Sequence, residues 1–225
     1  MAWKTRYGTI AVRIYRALID PLLRPLRPKI VRICRDLNAR DVLDIATATG
    51  AQCRALGRAG LHATGLDLSE PMIAAARRRG GRNATYVAGS AYELPFDDGS
   101  FDAVLLLLAL HEHTEDERSV MVLEALRVLR PGGALVLAEY AEPRRPALHV
   151  PWQVIRLVEE TAGAEHRAGF RDFVARGGLD GLVERHGLSV QSKVPSHFGT
   201  IAIVTVVDGS PSKPPTGPER LLTHP

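Results

Sequence analysis

The residues best suited to chemistry in this chain stand where apolar runs end. His111, Glu112 and His113 follow the run at 103–110, and Glu139 and Tyr140 close the run that starts at 134. A neutral imidazole is a natural base for a phenol, enol or thiol near neutral pH. His111 is therefore the first candidate for proton removal, with Glu139, Tyr140 and His166 behind it. The plainer reading of His111 is a hydrogen-bonded residue at the rim of a sheet. His111 and His113 with Glu112 also resemble a metal-ligand set. Adjacent residues on an extended segment point apart, however, and no well-spaced third ligand is visible, so no metal is expected.

A second group of residues suits ligand binding. At 42–50 an apolar strand runs into the small-residue turn Ala46, Thr47, Ala48, Thr49 and Gly50, and then into a helix. That arrangement brings backbone groups close to a ligand. Asp67 stands at the end of the next apolar run, where a carboxylate accepts both hydroxyls of a ribose. A dinucleotide fingerprint is absent, because Ala46 and Ala48 occupy positions where glycines would stand. Taken alone, the segment reads equally well as a tightly packed strand-to-helix turn.

These residues need a scaffold, and the pattern of the chain supplies one. Apolar runs at 42–46, 63–68, 84–88, 103–110 and 134–139 alternate with amphipathic stretches at 52–58, 71–79 and 115–129. Buried strands with intervening helices predict a mostly parallel α/β sheet covered on both faces. In such sheets ligands sit at the carboxyl ends of the strands, which is where the candidates lie. Helical spacing at 10–23 predicts a helix ahead of the sheet, and Pro28 suits the first position of the next one. Beyond Pro143, helices are expected at 154–162 and at 170–186, the second interrupted at Gly177 and Gly178. Two strands, 188–194 and 198–207, then form a hairpin across Pro195 and Ser196.

Composition narrows the class. The chain has 225 residues, 45% hydrophobic and 24% charged, enough for one sizeable core. Two cysteines are too few for a disulfide framework, and no run approaches the roughly 18 to 20 apolar residues that span a bilayer. With no apolar leader followed by a cleavage site, a cytoplasmic location is expected. The net charge of +4 is concentrated at the front. There Lys4, Arg6, Arg13, Arg16, Arg24, Arg27, Lys29, Arg32 and Arg35 stand against Asp20 alone. A basic, apolar-interleaved start suits an anionic membrane surface or an acidic ligand, or simply a solvated helix face. Nucleic acid is disfavoured because the aromatic interleaving of single-strand binders is missing.

Four blocks, in order, carry a resemblance. They are residues 42–50; Gly65, Leu66, Asp67, Leu68, Ser69, Glu70, Pro71 and Met72; residues 89–96, continuing through Ser100, Phe101 and Asp102; and residues 127–133. Together they resemble the class I S-adenosylmethionine (SAM)-dependent methyltransferases, in particular the small-molecule group similar to the ubiquinone and menaquinone biosynthesis enzymes. The resemblance implies a Rossmann-like seven-stranded sheet, mostly parallel, with a C-terminal antiparallel hairpin and an N-terminal helical cap. It implies SAM as cofactor, S-adenosyl-L-homocysteine as product, and a small apolar or aromatic acceptor methylated on O, C, N or S.

Site roles follow from the same resemblance. Asp44 would orient the turn and the methionine end of SAM, and Ala46, Thr47, Ala48 and Gly50 would offer backbone to it. Asp67 would hold the ribose, Leu68 and Met72 would pack on adenine, and Ser90, Ala91 and Tyr92 would line its edge. Leu107 would pass under the sulfonium, and Tyr7 or Tyr15 would close the methionine end. The chain departs from the family at Ala48 and Ser90, where glycine and often aspartate stand. If position 48 requires positive φ, alanine there costs about 1 kcal/mol. A non-catalytic SAM-binding scaffold, or a methyltransferase acting on nucleic acid or protein, is the alternative. The expected organisation is a helical cap at 1–40, a SAM-binding core at 41–143, helices and a hairpin completing the domain at 144–208, and a flexible tail at 209–225. The basic cap makes peripheral membrane contact a further expectation.

Overall fold

The computed structural model describes residues 12, 13, 15–141, 153, 155, 159 and 163–207. Its chain begins with a wide helical turn at Tyr15–Ile19 and a short one at Asp20–Leu22, then helix α1 (Leu26–Asp36). Alternation follows as expected: β1 (Asp41–Ile45), α2 (Ala51–Arg58), β2 (His62–Asp67), α3 (Glu70–Arg79) and β3 (Ala84–Ala88). The second half holds β4 (Phe101–Leu107), α4 (Glu115–Arg127), β5 (Leu129–Tyr140), α5 (Ala164–Ala175), α6 (Gly178–Arg185), β6 (Val190–Ser196) and β7 (Ile201–Val207).

The seven strands form one sheet in the order β3-β2-β1-β4-β5-β7-β6. Strands β1 to β5 pair in parallel, while β7 runs antiparallel to both β5 and β6. The chain walks outward from β1 to β3 and then restarts at β4 on the other side of β1. The crevice at such a reversal, beyond the strand ends, is where α/β sheets bind ligands.

Period-2 alternation divides the core. Leu43, Ile45, Val104, Leu106, Leu135 and Leu137 pack on one face with Met121 and Val122 of α4, Phe173 of α5 and Leu182 of α6. Val42, Ala103, Leu105, Val136 and Ala138 face the other way, onto Ile30 and Cys34 of α1, Leu56 of α2 and Ile73 of α3. Central strands buried on both sides must be apolar throughout, hence the uninterrupted runs in the sequence.

Several boundaries differ from expectation, among them the starts of α5 at Ala164 rather than 170 and of β5 at Leu129 rather than 134. Helix α1 starts at Leu26, with Pro28 in its third position, where the missing N–H still costs no intrahelical bond. The hairpin turns at His197–Gly199 rather than at Pro195 and Ser196. Pro195 instead lies within β6, an edge strand, where a residue lacking an N–H is tolerated. The apolar run at 103–110 leaves the sheet after Leu107: Leu108 takes φ 54°, and Leu110–Glu112 forms a tight turn. Thr114 closes that turn by capping α4 in a reciprocal arrangement with Glu117. Tyr7, most of the expected helix at 154–162 and the tail at 209–225 lie outside the described residues.

Candidate active site

A cleft of about 1260 Å³ opens at the carboxyl ends of β1, β2, β4 and β5. One end is built by the turn after β1, where Ala46, Ala48 and Gly50 take φ of 58°, 50° and 71°. This alternation of left-handed residues coils the chain tightly, and two of the three are alanines, which disfavour that conformation. The amide of Thr47 donates to the carbonyl of Leu66 at 2.9 Å, and that of Gly50 to the carbonyl of Thr47 at 3.0 Å. The amide of Ala48 donates to Oδ2 of Asp67 at 2.8 Å. Sequence reasoning expected this backbone to face a ligand, yet its amides at 47, 48 and 50 are engaged within the protein. The carbonyls of Thr47, Thr49 and Gly50 are engaged as well, so those of Ala46 and Ala48 are the ones to offer to a cationic donor such as an ammonium group.

The other expected residues divide between lining the cleft and supporting it. Ala46, Ala48, Asp67, Leu68, Met72, Ser90, Ala91, Tyr92, Leu107 and Tyr15 all line it. Asp67 is oriented by two amides, since Ser69 donates to its Oδ1 at 2.8 Å. Burial raises its pKa, against the pull of the Ser69 and Ala48 amides. Burial likewise pushes the Tyr15 phenol well up, with Asp20 adding to the effect. Ser90 Oγ accepts the amide of Tyr92 at 3.1 Å and so holds the loop after β3.

Asp44, Thr47 and Gly50 sit behind this wall. Asp44 is buried and accepts the Thr47 hydroxyl at 2.5 Å, with Cys53 Sγ at 3.5 Å. Burial lifts its pKa to about 6, although the Thr47 and Cys53 hydrogen bonds oppose the shift. Gly50 faces Tyr86: a Cβ there would stand 2.3 Å from the ring. These three residues shape the turn from beneath, and do not line the cleft.

The far end of the cleft is polar. His111 is 3% exposed, and its Nδ1 lies 2.9 Å from Oε2 of Glu139. Oε1 of Glu139 accepts the Leu110 amide at 2.6 Å, fixing the carboxylate against the turn that carries the histidine. Glu139 is fully buried behind the imidazole and touches His111 without lining the cleft. Nε2 of His111 stands 3.9 Å from Oε2 of Glu159, and the same oxygen bonds Nε2 of His166. The Tyr140 hydroxyl donates to Oε1 of Glu159 at 2.8 Å, and Nδ1 of His166 lies 3.6 Å from Glu112. His113, in contrast, turns away to the Tyr92 hydroxyl at 2.8 Å. The segment expected to be extended is a turn, so His111 and His113 part while His111 and His166 converge.

Charge in this cluster follows from proximity. Burial alone would lower the pKa of His166, but Glu112 and Glu159 outweigh it and raise it to about 9. In His111 the pull of Glu139, Glu112 and Glu159 likewise exceeds the opposing effect of burial. Burial would raise Glu112, yet His166 and His111 bring it down to about 2. For Glu159 the same imidazoles, with Tyr140, overcome burial and lower its pKa.

Arg118 holds the two histidine-bearing segments together. It is fully buried and donates to the Leu110 carbonyl at 3.0 Å, the Gly169 carbonyl at 2.7 Å and Asp172 at 2.7 Å. Gly169 lets α5 approach this closely, because a Cβ there would come within 2.7 Å of the Glu112 backbone.

With the geometry in place, comparison with known proteins bears on what the cleft is for. A family model described as a methyltransferase domain matches residues 43–137. Over those residues the chain is similar to a methyltransferase domain, in line with the class I SAM-dependent resemblance of its motifs. Among curated relatives, the demethylmenaquinone methyltransferase of Clavibacter sepedonicus is 36% identical over 134 residues, 55% of this chain and 54% of that protein. The ubiquinone/menaquinone biosynthesis C-methyltransferase of Methylobacterium nodulans is 36% identical over 142 residues, 60% of this chain and 53% of its own. The chain thus spans about half the length of the curated relatives it matches. Of solved structures, an O-methyltransferase family protein from Burkholderia thailandensis superposes with TM-score 0.67 at 21% identity, covering 89% of this chain and 60% of that one. A SAM-dependent methyltransferase from Aquifex aeolicus gives 0.62 at 17%, covering 90% and 99%. These two likenesses establish the fold.

The cleft also holds residues that sequence reasoning passed over. Glu159 and Arg118 carry the polar end of the cleft beside Glu112, which the sequence had offered only as a metal ligand, and Leu108 lines it. Nothing local distinguishes Glu159 from its neighbour Glu160, so only the fold could single it out. Arg118 sits on α4 where a charged residue reads as solvated surface.

Proposed function

We propose that the chain transfers the methyl group of SAM to a small apolar or aromatic acceptor. The observation that carries this reading is the layout of a single cleft. A carboxylate held by two backbone amides, Asp67, stands at one end, and a buried imidazole held by a carboxylate, His111, stands at the other. The ribose hydroxyls fit Asp67, adenine fits between Leu68, Met72 and the 90–92 loop, and the carbonyls of the turn suit the methionine ammonium. Leu107 then lies beneath the sulfonium, whose methyl group points toward His111. Methyl transfer needs an aligned nucleophile and, for a phenol or enol, somewhere for its proton to go. Glu139 fixes Nδ1 of His111, which leaves Nε2 as the proton acceptor on the cleft side.

Relatives named for demethylmenaquinone make a reduced quinone the first acceptor to try. A lipophilic acceptor resides in a membrane. The exposed Ile19 and Leu22 beside Arg13, Arg16 and Arg24 suit peripheral contact with an anionic one. No helix among the described residues is long and apolar enough to cross a membrane. Calorimetric titration with SAM is expected to show one site, and labelled SAM with a demethylated naphthoquinol is expected to give methylated product. No heat and no thermal shift at millimolar SAM overturns the reading. Sedimentation with anionic liposomes tests the membrane contact, which fails if binding is absent or insensitive to salt.

A further inference from the structure

The polar end of the cleft has the make-up of a metal centre. Ligand atoms of His111, Glu159 and His166 all lie within 4.8 Å of one another. Nε2 of His111 and Nε2 of His166 converge on the same carboxylate oxygen of Glu159. Donors sharing one ion at about 2.1 Å stand roughly 3.4 Å apart in a tetrahedron. The His111–Glu159 separation of 3.9 Å therefore needs to close by only about half an ångström, and the His166–Glu159 pair needs to open.

The groups behind these three residues strengthen the case. A histidine that ligates a metal through one nitrogen almost always gives the other to a carboxylate or carbonyl, which sets the tautomer. His111 does so here, with Nδ1 2.9 Å from Glu139, while Nδ1 of His166 faces Glu112 at 3.6 Å, an ion-pair distance rather than a hydrogen bond. The remaining oxygen of Glu159 is held by the Tyr140 hydroxyl at 2.8 Å. Two of the three prospective ligands thus have a hydrogen-bonded supporting partner, and the third has a carboxylate close by. Three carboxylates gathered around two imidazoles also leave negative charge for a cation to offset. Metal-ligand spacing was sought within 111–113, but the set is assembled from the turn after β4, α5 and Glu159.

The geometry points to a binding site for one divalent first-row ion of the zinc class, held by His111, His166 and Glu159. Two imidazoles and a carboxylate suit such an ion far better than magnesium, which prefers oxygen donors and its own water shell. Three protein ligands leave a coordination position open toward the cleft, which fits an acceptor bearing an enol or phenol oxygen. Coordination forms at Nε2 of both rings, and any proton there is released to the buffer. The ion and the acceptor proton compete for the same lone pair on His111. A loaded site therefore activates an acceptor oxygen through the ion, in place of the imidazole. The ligand set stands without the methyl-transfer reading, and only this last consequence rests on it.

The test uses the full chain, stripped with a chelator and titrated with Zn²⁺ by calorimetry and with Co²⁺ by visible absorption. One equivalent of each is expected, with the intense Co²⁺ bands of a low-coordinate site, and no heat is expected from Mg²⁺. His166→Gln and Glu159→Gln are expected to weaken Zn²⁺ at least 100-fold, and Glu139→Gln by about tenfold. His62→Gln, at the opposite end of β2, is expected to leave it unchanged. Circular dichroism and SAM titration on each variant report folding. Absent Zn²⁺ binding, equal affinity in all variants, loss in His62→Gln or preference for Mg²⁺ each overturns the site. SAM heat without metal uptake overturns the metal site alone. Metal uptake without SAM heat overturns the methyl-transfer reading alone.

Discussion

The backbone amide of Ala48 donates to Oδ2 of Asp67 at 2.8 Å, so the turn after β1 and the carboxylate at the tip of β2 form one unit. Each oxygen of Asp67 already accepts one amide and keeps a second lone pair for a ligand hydroxyl. Asp67→Asn places an NH₂ against one of those amides. It is expected to weaken SAM at least tenfold, in keeping with the roughly 1.5 to 3 kcal/mol of hydrogen bonds to charged groups. Calorimetry decides this, and unchanged affinity would remove Asp67 from the ribose role.

Ala48 sits at φ 50° in the same unit. Ala48→Gly relieves the left-handed strain but raises the entropy of the unfolded chain, for a net gain of about 1 kcal/mol. Denaturant unfolding is expected to show a higher midpoint with an unchanged slope. A lower midpoint would mean that the alanine methyl contributes packing worth more than the strain.

Asp44 makes stability depend on pH. Its folded pKa of about 6 lies above its unfolded value of 3.8, so the native state binds the extra proton between them. Stability of the ligand-free protein therefore falls as pH rises from about 4 to 6, by roughly 3 kcal/mol from this group. Above that window the loss is constant. Asp44→Asn is expected to flatten the profile between pH 4 and 6. A cationic ligand nearby favours the ionised carboxylate, so SAM affinity is expected to rise across the same window in the native sequence and not in the variant. Parallel profiles for the two proteins would contradict both statements.

Arg118 is a fully buried cation with three partners on two segments, the turn after β4 and helix α5. Arg118→Met leaves the carbonyls of Leu110 and Gly169 without this donor and Asp172 with Arg176 alone, at an expected cost of about 3 kcal/mol. Arg118→Lys keeps the charge but loses the fork that reaches all three, and is expected to recover only part of the stability. Chemical denaturation checks both, and full recovery by lysine would show that charge alone matters there.

Most of the architecture is legible in the amino-acid order. Parallel strands need apolar faces on both sides, so the runs at 42–46, 63–68 and 84–88 identify themselves. The turn of small residues and Asp67 lie at strand ends, where the fold places ligands. What periodicity could not deliver was the end of β4. Ala109 and Leu110 are as apolar as the strand before them, and only the left-handed kink at Leu108 reveals the turn.

Local order along the chain determined which residues end strands, because burial and backbone geometry act over a few positions. It therefore settled the sheet, the placement of Asp67 and the candidacy of His111. Tertiary structure alone decided that His111 and His166 meet, that Glu159 joins them and Glu139 stands behind, and that Arg118 is a core residue. These partners lie far apart in sequence, and their attraction becomes strong only after folding has removed the water between them.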